Sequence, residues 1–290
     1  MAASDTEVAA PTAGRRGLLR RLGASPRTTI GAVVLVVIFL AAIFADQISP
    51  FPPNQQFLRN RLQPPSAEHW LGTDHFGRDV MSRIIHGGRV SLQVGFISVA
   101  IALAVGGLMG LIAGFYGGWI DSATSWIVDV LLALPAFLLA LAIVAALGPS
   151  LLNVMIAVGI ANIPQFARIT RSAVLTVREM DYVTAAQAVG SRDMRIMFKH
   201  VVPNSLGPII VQVTLSLAGA ILAAAGLSFL GLGAQPPTAE WGSMLNSARP
   251  YIRDAHWAVT FPGLAIVFTV LALNMVGDGL RDALDPRRRD

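Results

Sequence analysis

The residues able to do chemistry in this chain are few, and their spacing excludes most reactions. Five histidines (His69, His75, His86, His200 and His256) show no ligand spacing such as HxxxH, so a metal site has no support in the sequence. The single lysine, Lys199, follows Phe198, so there is no GK[ST] phosphate loop, and no serine has a GxSxG setting. The absence of cysteine excludes thiolate nucleophiles, disulfides and Cys-metal sites. If ATP drives this protein, another chain must hydrolyse it. Three groups of polar residues remain. Asp129 is an ionisable residue near the start of an apolar run, where charge is expensive in lipid and tends to face the protein interior or a water-filled path. It reads either as a pore or relay carboxylate or as a helix-end residue with a local partner; with Asn162 and Gln212 it makes a candidate translocation path. A second group, Gly72, Thr73, Asp74, Gly77, Arg78 and Asp79, has the residue types of an ordered turn capped by side-chain to backbone hydrogen bonds. The third is the segment DYVTAAQAVGSRDMRIMFKHVVPN, Asp181 to Asn204.

The third group reads as a short helix, a break at Gly190, a second short amphipathic helix and a stop at Pro203. Met194, Met197, Phe198 and Val201 recur at helical spacing in the second helix, with Arg192, Asp193, Arg195 and Lys199 as polar cover. Such a pair is either a membrane-surface connector between two spans or a protruding knob that fits a groove on a partner.

The elements that must position these residues are membrane spans. Of the 290 residues 54% are hydrophobic and 13% charged, against about a quarter charged in a soluble domain. Several apolar runs exceed the ~18 residues that a bilayer crossing needs, which excludes a soluble core and disorder alike. Six spans are expected: Thr29–Ala45, Leu92–Phe115, Ala123–Leu147 with Pro135 inside, Leu151–Gln165, Leu206–Leu230 and Ala258–Val276. The fourth is short and interrupted by Asn153, Asn162 and Pro164. The first competes with a signal peptide but lacks a clean small-x-small site before Asp46, and reads as an uncleaved helix. Residues 46–90, polar and Pro-rich, form a first external loop. Gly106, Gly110, Gly114 and Gly118 recur every four residues and suit close helix packing, within the bundle or in a dimer.

Charge sets the orientation. The side holding the N-terminal tail, residues 166–204 and the C-terminal tail carries more than twice as many basic residues as the side holding Arg59, Arg61, Arg78, Arg83, Arg89, Arg249 and Arg253. That excess puts both termini and the Asp181–Asn204 segment in the cytoplasm, and makes the arginines membrane-surface anchors rather than nucleic-acid contacts. The expected organisation is a tail over 1–27, the first span and external loop over 28–90, a permease-like membrane domain over 91–286 containing the 181–204 segment, and a tail over 287–290.

Three stretches together resemble the permease subunits of ATP-binding-cassette importers for dipeptides and oligopeptides, in their second, C-type form. They are HWLGTDHFGRDVMSRIIHGGRVSLQVG (His69 to Gly95), the Asp181–Asn204 segment, and FLGLGAQPPTAEWGSMLNSAR with FPGLAIVFTVLALNMVGDGLRDALDP (Phe229 to Arg249 and Phe261 to Pro286). The resemblance implies an all-α polytopic membrane protein with the six-helix type I importer permease bundle, in a bacterial inner membrane. It implies a second, B-type permease, one or two cytoplasmic ATPases that bind ATP and Mg, an extracytoplasmic substrate-binding protein, and no catalysis or cofactor in this chain. The external-loop residues 72–74 and 77–79 would contact the binding protein or the second permease, or serve only to fold the loop onto its own bundle. Residues Tyr182, Thr184, Ala185, Ala186, Gly190, Met194, Phe198, Pro203 and Asn204 would belong to the loop that docks into an ATPase cleft. Where that family's loop has Glu this chain has Thr184, which removes a carboxylate but keeps the shape of the knob. Nickel, glutathione or antimicrobial-peptide import is compatible with the same architecture. A secondary transporter would need matching broken helices in both halves, and the knob has no counterpart in the first half.

Overall fold

A computed structural model describes residues 25–284. The tails beyond, with Arg15, Arg16, Arg20, Arg21, Arg287, Arg288 and Arg289 of the charge comparison, lie outside the described residues. Among those described, the chain is helical: α1 (Pro26–Ile43), α2 (Val80–Tyr116), α3 (Gly118–Leu132), α4 (Ala136–Leu147), α5 (Leu151–Arg178), α6 (Asp181–Ala188), α7 (Asp193–Phe229), α8 (Trp241–Ala248) and α9 (Trp257–Leu284). Five of these helices are long and apolar enough to cross a membrane, and the bent pair α3 and α4, taken as one span, brings the number to six.

The spans differ from expectation at their ends. Helix α2 begins at Val80, so the first loop ends at Asp79 rather than at residue 90. The cause is a capped start: the Asp79 carboxylate accepts from Ser82 N (2.8 Å), and polar residues such as Ser82 and Arg83 simply extend the helix above the apolar run. The third span is two helices at 83°, the break falling just before Pro135, whose own ψ of 132° is extended and whose ring disfavours helix in the residue before it. The fourth, expected to be short, is a 28-residue helix running straight through Pro164. Its asparagines do not interrupt it. Asn153 Nδ2 donates to the carbonyls of Leu147 and Gly148 at the end of α4, and Asn162 Nδ2 donates to Val158 O (2.8 Å) one turn back.

Pro203 does not stop the second knob helix either. Residues Met197–Val201 form a π turn in which Val202 N–H reaches back five residues to Met197 O, and the helix passes directly into the fifth span. Pro203 has no N–H to donate, and the helix continues through it from the wider turn that precedes it. Knob and span are therefore one 37-residue helix, α7.

Helix α5 stands at the centre, packed by α2, α4 and α7. The glycines of α2 make this possible: a Cβ at Gly106 would lie 2.4 Å from Ile163 O, and one at Gly110 2.3 Å from Ala167 O. The glycine face thus serves packing inside the bundle. Gly118 is not part of it; it opens α3 with nothing within 4 Å of an added Cβ. Helix α1 rests on α9, where Thr28 meets Gly279, so both described ends lie at the same end of the bundle. Its last carbonyls, Ala42 O and Ile43 O, accept from Arg89 of α2 (3.0 Å each), which also pairs with Asp46.

Candidate functional site: a buried turn, a polar groove and a protruding knob

At the end opposite the described termini, the first loop folds down onto the bundle. Asp74 accepts from Phe76 N (2.8 Å) and Arg78 N (3.0 Å) and pairs with Arg78 Nε (2.6 Å). Thr73 Oγ1 accepts from Gln63 N, and Trp257 Nε1 donates to Thr73 O (3.1 Å), tying the turn to the start of α9. Asp79 holds Ser82 with one oxygen and His69 Nδ1 (3.0 Å) with the other. Gly77 has φ +72°, and a Cβ there would come within 2.0 Å of Phe57 O, so glycine is required for both reasons. Gly72, Thr73, Asp74, Gly77, Arg78 and Asp79 are all buried. Their side chains shape the turn; a partner approaching it meets Leu58, Trp70 and Phe76, which are 65%, 62% and 40% exposed.

Beside this turn sits a residue that sequence reasoning missed. Glu240 is buried, caps α8 by accepting from Gly242 N (2.9 Å) and Ser243 N (2.8 Å), and receives Ser91 Oγ of α2 (3.2 Å). Burial pushes its carboxyl above the ordinary value, and these hydrogen bonds work against that shift. A carboxylate just before a short helical stretch was the available signal.

Of the three path candidates, two meet and one does not. Asn162 and Gln212 line one groove of about 480 Å3 between α4, α5 and α7, together with Gln165 and Ser216. Gln212 Nε2 donates to Gln165 Oε1 (3.1 Å) and Ser216 Oγ (2.8 Å). Asp129 lies in a neighbouring cavity of about 300 Å3, where Arg168 Nη2 bonds it at 2.9 Å. Arg171, in the wall of the same cavity, pairs with Asp121. Gln165, Arg168 and Arg171 were legible as polar residues at every third position after Asn162, winding round the helix, but only once α5 is carried past Gln165.

The knob lies at the end of the bundle where α1 begins and α9 finishes. Helix α6 ends in a Schellman turn: Ser191 N donates to Ala186 O (3.1 Å), Gly190 N to Gln187 O (2.9 Å), and Gly190 has φ +77°. The apolar residues expected on one face divide in two. Val183, Ile196, Met197 and Val201 are buried against Leu111, Phe115, Val174 and Val177 of α2 and α5. Met194 and Phe198 point away, 60% and 59% exposed. Tyr182, Thr184, Ala185, Gly190, Pro203 and Asn204 are exposed too, and Ala186 is half-buried.

Helices long and apolar enough to cross a membrane, packed around a polar groove, define a polytopic membrane protein. Residues 106–290 match the family of binding-protein-dependent transport system inner membrane components, and residues 16–65 match the N-terminal membrane domain of oligopeptide transport permease C. The chain is 52% identical to the dipeptide transport system permease of Alkalihalophilus pseudofirmus, over 94% of this chain and 90% of that one. It is 50% identical to the di/tripeptide transport system permease of Pseudomonas aeruginosa, over 90% and 88%. An inward-facing MetNI methionine ABC transporter shares the fold, with a TM-score of 0.59 at 18% identity over 71% of this chain and 98% of that one. The chain belongs to the family of binding-protein-dependent transport system inner membrane components. It is a non-catalytic permease subunit of the bacterial inner membrane, working with a substrate-binding protein, a second permease and ATPase subunits.

Proposed function

We propose that this chain, with a second permease, forms the path by which an importer takes up di- and oligopeptides, and that residues 181–204 transmit the work of partner ATPases that bind ATP and Mg. The observation that carries the coupling part is the divided face of the knob. Ile196, Met197 and Val201 lock it to α2 and α5, leaving Met194 and Phe198 uncovered at its tip. Two large apolar side chains held on a rigid projection suit the floor of a partner's cleft, and Thr184 leaves that contact without a carboxylate. The peptide part is supported by the relatives described above. The path is proposed along the polar face of α5, since an open groove carrying Asn162, Gln165 and Gln212 is unsuited to lipid, where unpaired polar groups cost several kcal/mol.

The test is co-expression of the whole importer with Met194→Asp and Phe198→Asp combined. Both residues are exposed, so the variant should reach the membrane at normal levels. It should lose co-purification of the ATPases and lose uptake of a labelled dipeptide. Retention of both would overturn the coupling role.

A further inference from the structure

Helix α5 carries Asn162, Gln165, Arg168 and Arg171 at every third position, the first two lining the groove and the last two the neighbouring cavity. The last two are matched by carboxylates of α3: Arg168 Nη2 lies 2.9 Å from Asp129, and Arg171 Nη2 2.6 Å from Asp121 Oδ2. The groove beside the first two holds no charged residue among its lining side chains; its polar groups are three carboxamides and the Ser216 hydroxyl. In neither cavity does a lining side chain carry a formal charge without an opposite one beside it.

The carboxamides are also oriented. Gln212 Nε2 uses its two protons on Gln165 Oε1 and Ser216 Oγ, which turns Gln212 Oε1 and Gln165 Nε2 away from these bonds. One acceptor and one donor, side by side on adjacent helices, are the complement of a peptide group's N–H and C=O. Every peptide carries that group, whatever its side chains. A fixed charge in a partly dehydrated groove would instead hold oppositely charged cargo and repel like-charged cargo.

We propose that Gln165 and Gln212 are specificity-determining residues that engage a transiting peptide through its backbone amide, and that the neutral wall around them makes the path indifferent to the charge of the cargo's side chains. This rests on the peptide-import reading above.

The complete importer, with both permeases, ATPases and binding protein in proteoliposomes, is the system to test it. Uptake of Ala-Ala, Glu-Ala and Lys-Ala is measured with the binding protein saturated by each. Gln212→Glu should lower uptake of Glu-Ala relative to Lys-Ala by about tenfold, equivalent to ~1.4 kcal/mol. Gln165→Glu should shift the ratio in the same direction, which covers a failure of the first variant to assemble. An unchanged ratio in assembled complexes carrying either variant would overturn the proposal. So would loss of the second permease on purification of both variants, since the face would then be a subunit contact. Wild-type complex that hydrolyses ATP in response to the binding protein but takes up none of the three dipeptides would overturn the peptide reading itself, before any variant is made.

Discussion

Gly190 carries more of the knob than any other single residue. Its φ of +77° is needed for the Schellman turn, yet an added Cβ would meet nothing within 4 Å. The cost of replacing it is therefore backbone strain alone. Gly190→Val should cost on the order of 1–3 kcal/mol at the turn and detach the ATPases while the chain still inserts; Gly190→Asn, which tolerates the left-handed region, should retain them. Co-purification of ATPases with each variant, at equal membrane levels, checks the contrast. The turn was legible in the sequence because its requirement is written in one residue. The burial of Gly72 and Gly77 was not, because what covers them (Trp257 and Phe57) comes from separate parts of the chain. Met194 and Phe198 were legible as apolar but not as outward-facing; Met197 and Val201, sharing their period, take the inner side.

At the scale of elements, α2 and α5 meet backbone to backbone, and the contact is graded along α2. A Cβ at Gly110 would sit 2.3 Å from Ala167 O and 2.9 Å from Arg171 N, whereas one at Gly107 would find its nearest neighbour, the flexible Leu103 Cδ1, at 3.4 Å. Gly110→Ala should destabilise the purified complex by about 1–3 kcal/mol through overpacking, and Gly107→Ala should leave thermal stability near wild type. Thermal unfolding of the two variants in detergent separates them. Hydropathy located the five long crossing helices and the bent pair because lipid-facing runs must be apolar, but it saw only that part of each helix. The polar extensions at Val80–Arg89 and Ala167–Arg178 lie beyond the apolar runs, and the π turn at Met197–Val201 hides the continuity of knob and span from any pattern of period 3.6.

For the whole molecule, the bundle fixes which ends lie together and the charge asymmetry supports which side they face. The first loop and the knob are at opposite ends, and the chain has no native cysteine to confuse labelling. A cysteine in place of the exposed Glu68 should react with an impermeant maleimide on intact cells, and one in place of Thr184 only after permeabilisation. The reverse pattern would invert the proposed orientation. The unbroken run of α7 bears on how motion would cross this molecule. At 1.5 Å per residue its 37 residues make a rod of about 55 Å, with Met194 and Phe198 near one end and Gln212 about half-way along. A hinged connector would lose part of any displacement to its own bending. A continuous helix turning as one body by ~5° would carry its far end through about 5 Å, the height of one helical turn.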